Sequence, residues 1–232
     1  MTEPILKIEN LSKYFGKLKA VDDVTFEILP GETFALVGES GSGKTTIGRT
    51  ILRLNKATSG KVYFEGKDLF SLKEKEFRAL RPQIQMIFQD PYSSLDPLYK
   101  IGKTLKEAVQ EHHIVAKREE DEYVKTIMEE CGLSRDMYEK LPDDFSGGER
   151  QRIAIARAIA LKPKLIIADE PVSALDVSVE AQILSLMLKL KKEKNLSYLF
   201  ISHDMNVIRL ISDRIGVMYH GKLVEVASRD EY

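Results

Sequence analysis

The stretch GESGSGKTT, residues 38–46, sets glycines at positions 38, 41 and 43 around a lysine, a pattern suited to holding an anion. Gly38, Gly43, Lys44 and Thr45 satisfy the spacing G-x-x-x-x-G-K-[ST], directly after the apolar run FALV and before a helical segment. Backbone amides from Gly41 to Thr45, reinforced by the N-terminal end of the following helix, would cradle phosphates. Lys44 would reach the β- and γ-phosphates of a nucleoside triphosphate, and the Thr45 hydroxyl would ligate Mg²⁺. Glu39, Ser40, Ser42 and Thr46 complete the loop as candidate contacts.

What happens to such a nucleotide depends on KLIIADEP, residues 164–171, where an apolar strand ends in two carboxylates. In isolation these would be ordinary strand-ending polar residues. Beside a phosphate loop they take different roles: Asp169 to hold magnesium, directly or through water, and Glu170 to polarise an attacking water. A second anion site is offered by FSGGERQR, residues 145–152, where Ser146, Gly147 and Gly148 precede an apolar helix. Taken alone, Ser-Gly-Gly is also a common loop and N-cap sequence.

These residues need rigid elements behind them. Short β-branched runs begin at residues 6, 24, 34, 61, 84, 165 and 198, and FALVG, LIIAD and YLFIS are nearly continuous apolar runs, the pattern of strands buried on both faces of a parallel sheet. Helical patterns lie between them, including the segment after Lys44 and the stretch from Ser178 to Lys194, so the chain reads as an α/β protein. IGVMY and KLVEVA flank His220 and Gly221 as a hairpin. Residues 90–160 read as a helical subdomain inserted into an α/β core formed by 1–89 and 161–232. In it Val124, Ile127, Met128 and Cys131 share one helix face, and Gly132 is placed as a C-cap.

Composition narrows the function classes. The 232 residues are 43% hydrophobic and 31% charged, as in ordinary globular proteins, and the net charge of −1 provides no basic field for nucleic acid or anionic lipid. The single cysteine excludes an internal disulfide and argues against a cysteine-based metal framework. The longest apolar run, IAIARAIAL at 153–161, is too short to cross a bilayer, and the N-terminus lacks a signal-peptide pattern.

The ordered set GESGSGKT at 38–45, FQD at 88–90, FSGGERQR at 145–152, LIIADEP at 165–171, SALD at 173–176 and ISHD at 201–204 resembles the ATP-binding-cassette ATPases over essentially the whole chain. The resemblance implies a P-loop NTPase (RecA-like) core, an N-terminal antiparallel β-subdomain and the inserted helical subdomain. It implies that Gln89 touches Mg²⁺ or its water and senses the γ-phosphate, that Asp176 closes the D-loop, and that His203 is the switch histidine. The adenine-stacking aromatic is matched by Phe15, with Tyr14 as its neighbour. Ser146, Gly147 and Gly148 would act on the ATP of a partner subunit in a head-to-tail dimer.

The usual signature is LSGGQ; here Phe145 and Glu149 replace its ends, and a carboxylate near a γ-phosphate is unwelcome unless it is paired or turned away. Finer detail resembles the F-type ATPase subunit of dipeptide and oligopeptide importers, a group that also handles nickel and oligosaccharides. That resemblance implies ATP and Mg²⁺, two permease subunits, a second cassette subunit of D-type or a second copy, an extracellular solute-binding protein, no nucleic acid, and a peripheral position on the cytoplasmic face of the membrane. A permease helix would dock near Gln89 to Pro97, with Tyr92 and Leu95 as coupling residues. A C-terminal extension usual in the group is expected to be absent after Tyr232. Two rival readings are a non-transport ATPase of the superfamily and a nucleotide-gated binding module.

Overall fold

Alternation of buried and exposed residues over positions 6–28 builds a long hairpin, β1 (Leu6–Phe15) and β2 (Leu18–Ile28), in the computed structural model, which describes residues 3–90 and 95–231. Strands β4 (Ser59–Phe64) and β5 (Lys67–Asp68) complete an antiparallel sheet of order β2-β1-β4-β5. Leu6, Ile8 and Leu11 point from it into the core.

The second sheet runs β10-β9-β3-β8-β7-β6. Its centre is β3 (Thr33–Val37), β8 (Ser197–Ile201) and β7 (Leu165–Asp169), in which every residue is buried. These three and β6 (Ile84–Ile87) are parallel, as the continuous apolar runs predict; β9 (Arg214–Tyr219) is parallel to β3, and β10 (Lys222–Ser228) turns back antiparallel around His220 and Gly221. Because strand side chains alternate, the sheet feeds two apolar clusters. Ala35, Ile166, Ala168, Phe200 and Ile215 face one cluster, whereas Phe34, Leu36, Leu165, Ile167, Leu199 and Ile201 face the other. Each large side chain so buried contributes roughly 1.5–3 kcal/mol.

The second of these clusters is shared with the antiparallel sheet and with α1 (Lys44–Ile51) and α2 (Glu74–Leu80). Stacking of Phe26 on Phe34, centroids 4.7 Å apart and rings 7° from parallel, joins the two sheets. On the opposite face pack α3 (Ile101–Glu111), α4 (Glu120–Glu130), α5 (Gly147–Ile159), α6 (Val177–Lys194) and α7 (Met205–Ile211). The predicted face of α4 is buried through Val124, Ile127, Met128 and Cys131, and Gly132 follows with φ 76°. Helices α2 and α7 and the two-residue β5 escape sequence patterning because none is long enough to show a period.

Candidate nucleotide-binding site

The loop 38–43 leaves the C-terminal end of β3 and enters α1, while β6, β7 and β8 deliver Gln89, Glu170 and His203 from the same edge of the sheet. Ligands of open parallel sheets sit at this edge, where the chain leaves the strands. A cleft of about 790 Å³ opens there. Among the predicted residues, Phe15, Gly38, Glu39, Ser40, Gly41, Gly43, Lys44, Thr45, Thr46, Gln89, Glu170 and His203 line it.

Close packing shapes the loop. Gly43 has φ 106°, and a Cβ there would meet the carbonyl oxygen of Ala20 at 2.1 Å, so only glycine lets the loop lie against β2. On its other side the Gly221 N–H donates to Ser42 O at 3.0 Å, and the Asp22 N–H donates to Gly221 O at 2.7 Å. The β9–β10 hairpin thus braces the loop. Ser42 is buried beneath it and lies outside the cleft lining. The Lys44 ammonium donates to Gly38 O (2.7 Å), Glu39 O (2.9 Å) and Ser42 Oγ (3.2 Å). Burial lowers its pKa against the opposing pull of Glu170 and Asp169.

Behind the loop, Thr45 Oγ1 donates to Asp169 Oδ1 at 2.7 Å. Burial raises the Asp169 pKa above the usual carboxylate range; the Thr45 hydrogen bond works against this, and the neighbouring Glu170 adds to it. Among the described residues no group of three or more His, Cys, Asp or Glu side chains could hold a metal. A hydroxyl, one carboxylate and an amide oxygen suit an ion that takes the rest of its shell from substrate phosphates and water, which is the habit of Mg²⁺. The donor set therefore fits that ion.

Glu170 is the centre of the site. Its φ of 47° lies in the left-handed region, uncommon for a residue with a side chain, and its N–H donates to Ile201 O at 2.9 Å. The carboxylate is held at both oxygens: Gln89 Nε2 donates to Oε2 at 2.9 Å, and His203 Nδ1 lies 3.2 Å from Oε1. Three residues from three strand ends meet here, a convergence that their separation in sequence conceals.

The two aromatic candidates part company. Phe15 is 47% exposed and lines the cleft beside Leu18 and Ala20. Tyr14 instead donates its hydroxyl to Asp22 Oδ1 at 2.6 Å and is not in the lining. Leu18, Ala20 and Val37 line the cleft without any signal in the sequence, since small and aliphatic residues carry no motif.

Ser146, Gly147, Gly148 and Asp176 lie outside the cleft. Ser146 and Gly147 are exposed at the start of α5, and Asp176 caps α6 by accepting the Val179 N–H at 2.9 Å. Glu149 is paired: its Oε2 accepts from both the N–H and the hydroxyl of Ser146, each at 2.8 Å. These two bonds, the backbone one foremost, hold its pKa below the usual range.

A groove of about 350 Å³ borders Phe88, lined by Leu52, Leu54, Met86, Phe88, Ala154 and Ala158 and flanked by Arg81 and Arg157. Tyr92 lies outside the described residues. Leu95 is only 6% exposed and belongs to the helical cluster, so its truncation would cost packing rather than a surface contact. No helix among the described residues is long and apolar enough to cross a membrane.

The profile of the ABC transporter family matches residues 21–173. The chain is 50% identical to an oligopeptide transport ATP-binding protein (OppF) of Bacillus subtilis (strain 168), covering 100% of this chain and 78% of the relative. It is 48% identical to a dipeptide transport ATP-binding protein (DppF) of Lactococcus lactis subsp. cremoris (strain MG1363), covering 100% and 77%. Among solved structures, a dimeric ATP-binding cassette in a post-hydrolysis state bound to ADP and Pi superposes with TM-score 0.86 at 29% identity over 97% of this chain and 98% of that one. A second, cbiO1 of Clostridium perfringens, part of an ABC transporter complex, gives TM-score 0.89 at 26% identity over 99% and 90%.

Proposed function

This chain belongs to the ABC transporter family, and from that membership we propose that it is the ATP-hydrolysing subunit that energises an importer of dipeptides or oligopeptides. The observation that carries the reading is the Glu170 carboxylate, held between Gln89 and His203 at the mouth of a phosphate loop.

In this reading the loop amides and Lys44 bind the triphosphate, the ammonium exchanging its bonds to Gly38 O and Glu39 O for phosphate oxygens. Phe15 stacks on the base. Thr45, Asp169 and Gln89 are the residues that would hold Mg²⁺, which when bound would supply positive charge against the β- and γ-phosphates. Glu170 accepts a proton from a water whose oxygen bonds to the γ-phosphorus as the bond to ADP breaks. Gln89 and His203 fix the direction of that carboxylate, so little reorganisation accompanies the reaction.

ABC ATPases act as dimers with transmembrane permease subunits, and the dimeric cassette that superposes on this chain supports such an assembly here. Ser146 and Gly147, exposed and outside the lining of the chain's own cleft, would close with Gly148 over a partner's γ-phosphate; residues 90–160 would form the helical subdomain that carries them. The partner is a D-type cassette in this proposal, and the chain sits on the cytoplasmic face through its permeases. The apolar groove at Phe88 is the surface offered to them.

Affinity purification from gently solubilised membranes with ATP present, followed by mass spectrometry, tests the reading. Two permeases and a second cassette ATPase are expected. Recovery of ribosomal or DNA-bound proteins instead would keep the ATP chemistry and discard transport.

A further inference from the structure

The N-terminus of α5 already has an anion on it, supplied by its own chain. The Glu149 carboxylate accepts the Ser146 N–H and the Ser146 hydroxyl through the same oxygen, both at 2.8 Å, while Ser146 Oγ accepts the Glu149 N–H at 3.4 Å. A serine hydroxyl has one proton to give. While that proton points at Glu149, it cannot be donated to a phosphate oxygen. The carboxylate also sets a negative charge against the positive end of the helix, where an incoming phosphate would gain most.

We infer that Glu149 is a positioning residue that keeps the Ser146 hydroxyl turned onto its own chain until a partner's nucleotide displaces it, and so raises the ATP concentration needed for closure. The inference rests on the proposal above that Ser146 faces the partner's γ-phosphate. Two features make the carboxylate, rather than the helix, the part that must give way. Gly148 is pressed against Val179, where an added Cβ would lie 2.5 Å from Cγ1, so the first turn of α5 is seated on α6. Glu149 is half-buried, and the Ser146 N–H and hydroxyl bonds, with Lys140 and Arg152 adding to them, favour its charged form, so it stays an anion rather than neutralising.

Glutamine at this position separates charge from capping. It has the same length, its Oε1 can accept the Ser146 N–H, and a capping box tolerates either residue. In the transporter purified from membranes, Glu149→Gln is expected to lower the ATP concentration for half-maximal hydrolysis about three- to tenfold, because the competing charge-assisted bond becomes a weaker neutral one. The thermal midpoint should be kept. Glu149→Ala, which removes the cap, should lower that midpoint and serves as the structural control.

An unchanged or raised half-saturation in Glu149→Gln, with a wild-type complex that hydrolyses ATP normally, would overturn this inference and leave the proposed function standing. A wild-type complex without ATP hydrolysis would remove both.

Discussion

The Thr45 hydroxyl donates to Asp169 Oδ1 across 2.7 Å, tying the first turn of α1 to the end of β7. Asp169 is 2% exposed, and burial outweighs that hydrogen bond in raising its pKa. A group whose folded pKa exceeds its unfolded one loses its contribution to stability as pH rises through the folded value. At neutral pH an ionised Asp169 therefore costs the fold something. Asp169→Asn keeps an oxygen to accept from Thr45 and removes the buried charge. It is expected to raise the thermal midpoint of the nucleotide-free protein by about 2–4 °C for each kcal/mol recovered, and to abolish magnesium-dependent hydrolysis. Calorimetry with and without Mg-ATP checks both halves.

Glu170→Gln should leave ATP binding near wild type while hydrolysis falls about 10²–10⁴-fold. The amide keeps the neighbourhood of Gln89 and His203 but cannot take a proton from water. Phosphate release and filter binding on the same preparation separate the two; hydrolysis at the wild-type rate would reassign the base.

The neighbouring aromatics make a paired experiment. Phe15→Ala removes an exposed ring from the cleft and should weaken ATP binding by about two- to tenfold, the equivalent of the 0.5–1.5 kcal/mol that aromatic stacking supplies. Tyr14→Phe should leave ATP affinity alone. It removes the donor to Asp22 and should cost about 1 kcal/mol of stability. Titration of ATP against intrinsic fluorescence or by calorimetry would expose an exchange of these roles.

Gly148 serves the fold as well as the signature stretch. In Gly148→Ala the new methyl meets Val179 Cγ1 at 2.5 Å, an overpacking expected to destabilise by about 1–3 kcal/mol. Val179→Ala should restore most of that loss in the double variant, read as a denaturation midpoint. Failure of the second substitution to compensate would show that the clash is relieved elsewhere.

Cys131 is buried at the end of α4, and burial pushes its thiol up to about 12. The unfolded thiol ionises near about 8.5. As pH rises past that value, only the unfolded chain gains the thiolate, so native stability falls between there and the folded pKa. A thiol-specific reagent should react with the native protein at pH 8 only as fast as the chain opens. Rapid labelling in native buffer would contradict the burial.

Much of this protein was legible along the chain. The phosphate loop, the strand that ends in Asp169 and Glu170, and the hairpin around His220 are local patterns, in which residue type and spacing follow from the turn, pleat or helix that neighbours in sequence must form. The fully buried strands were readable for the same reason: a strand covered on both faces admits almost no polar residue.

What only the tertiary structure decided is where distant residues meet. Gln89, Glu170 and His203 belong to separate strand ends and become one constellation because β6, β7 and β8 are neighbours in the sheet. Ala20 and Gly221 brace the phosphate loop through backbone atoms, which leave no trace in side-chain type. Tyr14 and Phe15 are equivalent as letters, and strand alternation sends one to Asp22 and the other to the cleft. Glu149, a misfit by residue type, is satisfied because a helix begins at Ser146 and brings its carboxylate back onto that residue. Sequence dictates what each segment can form, whereas contact between segments depends on the packing of all of them at once.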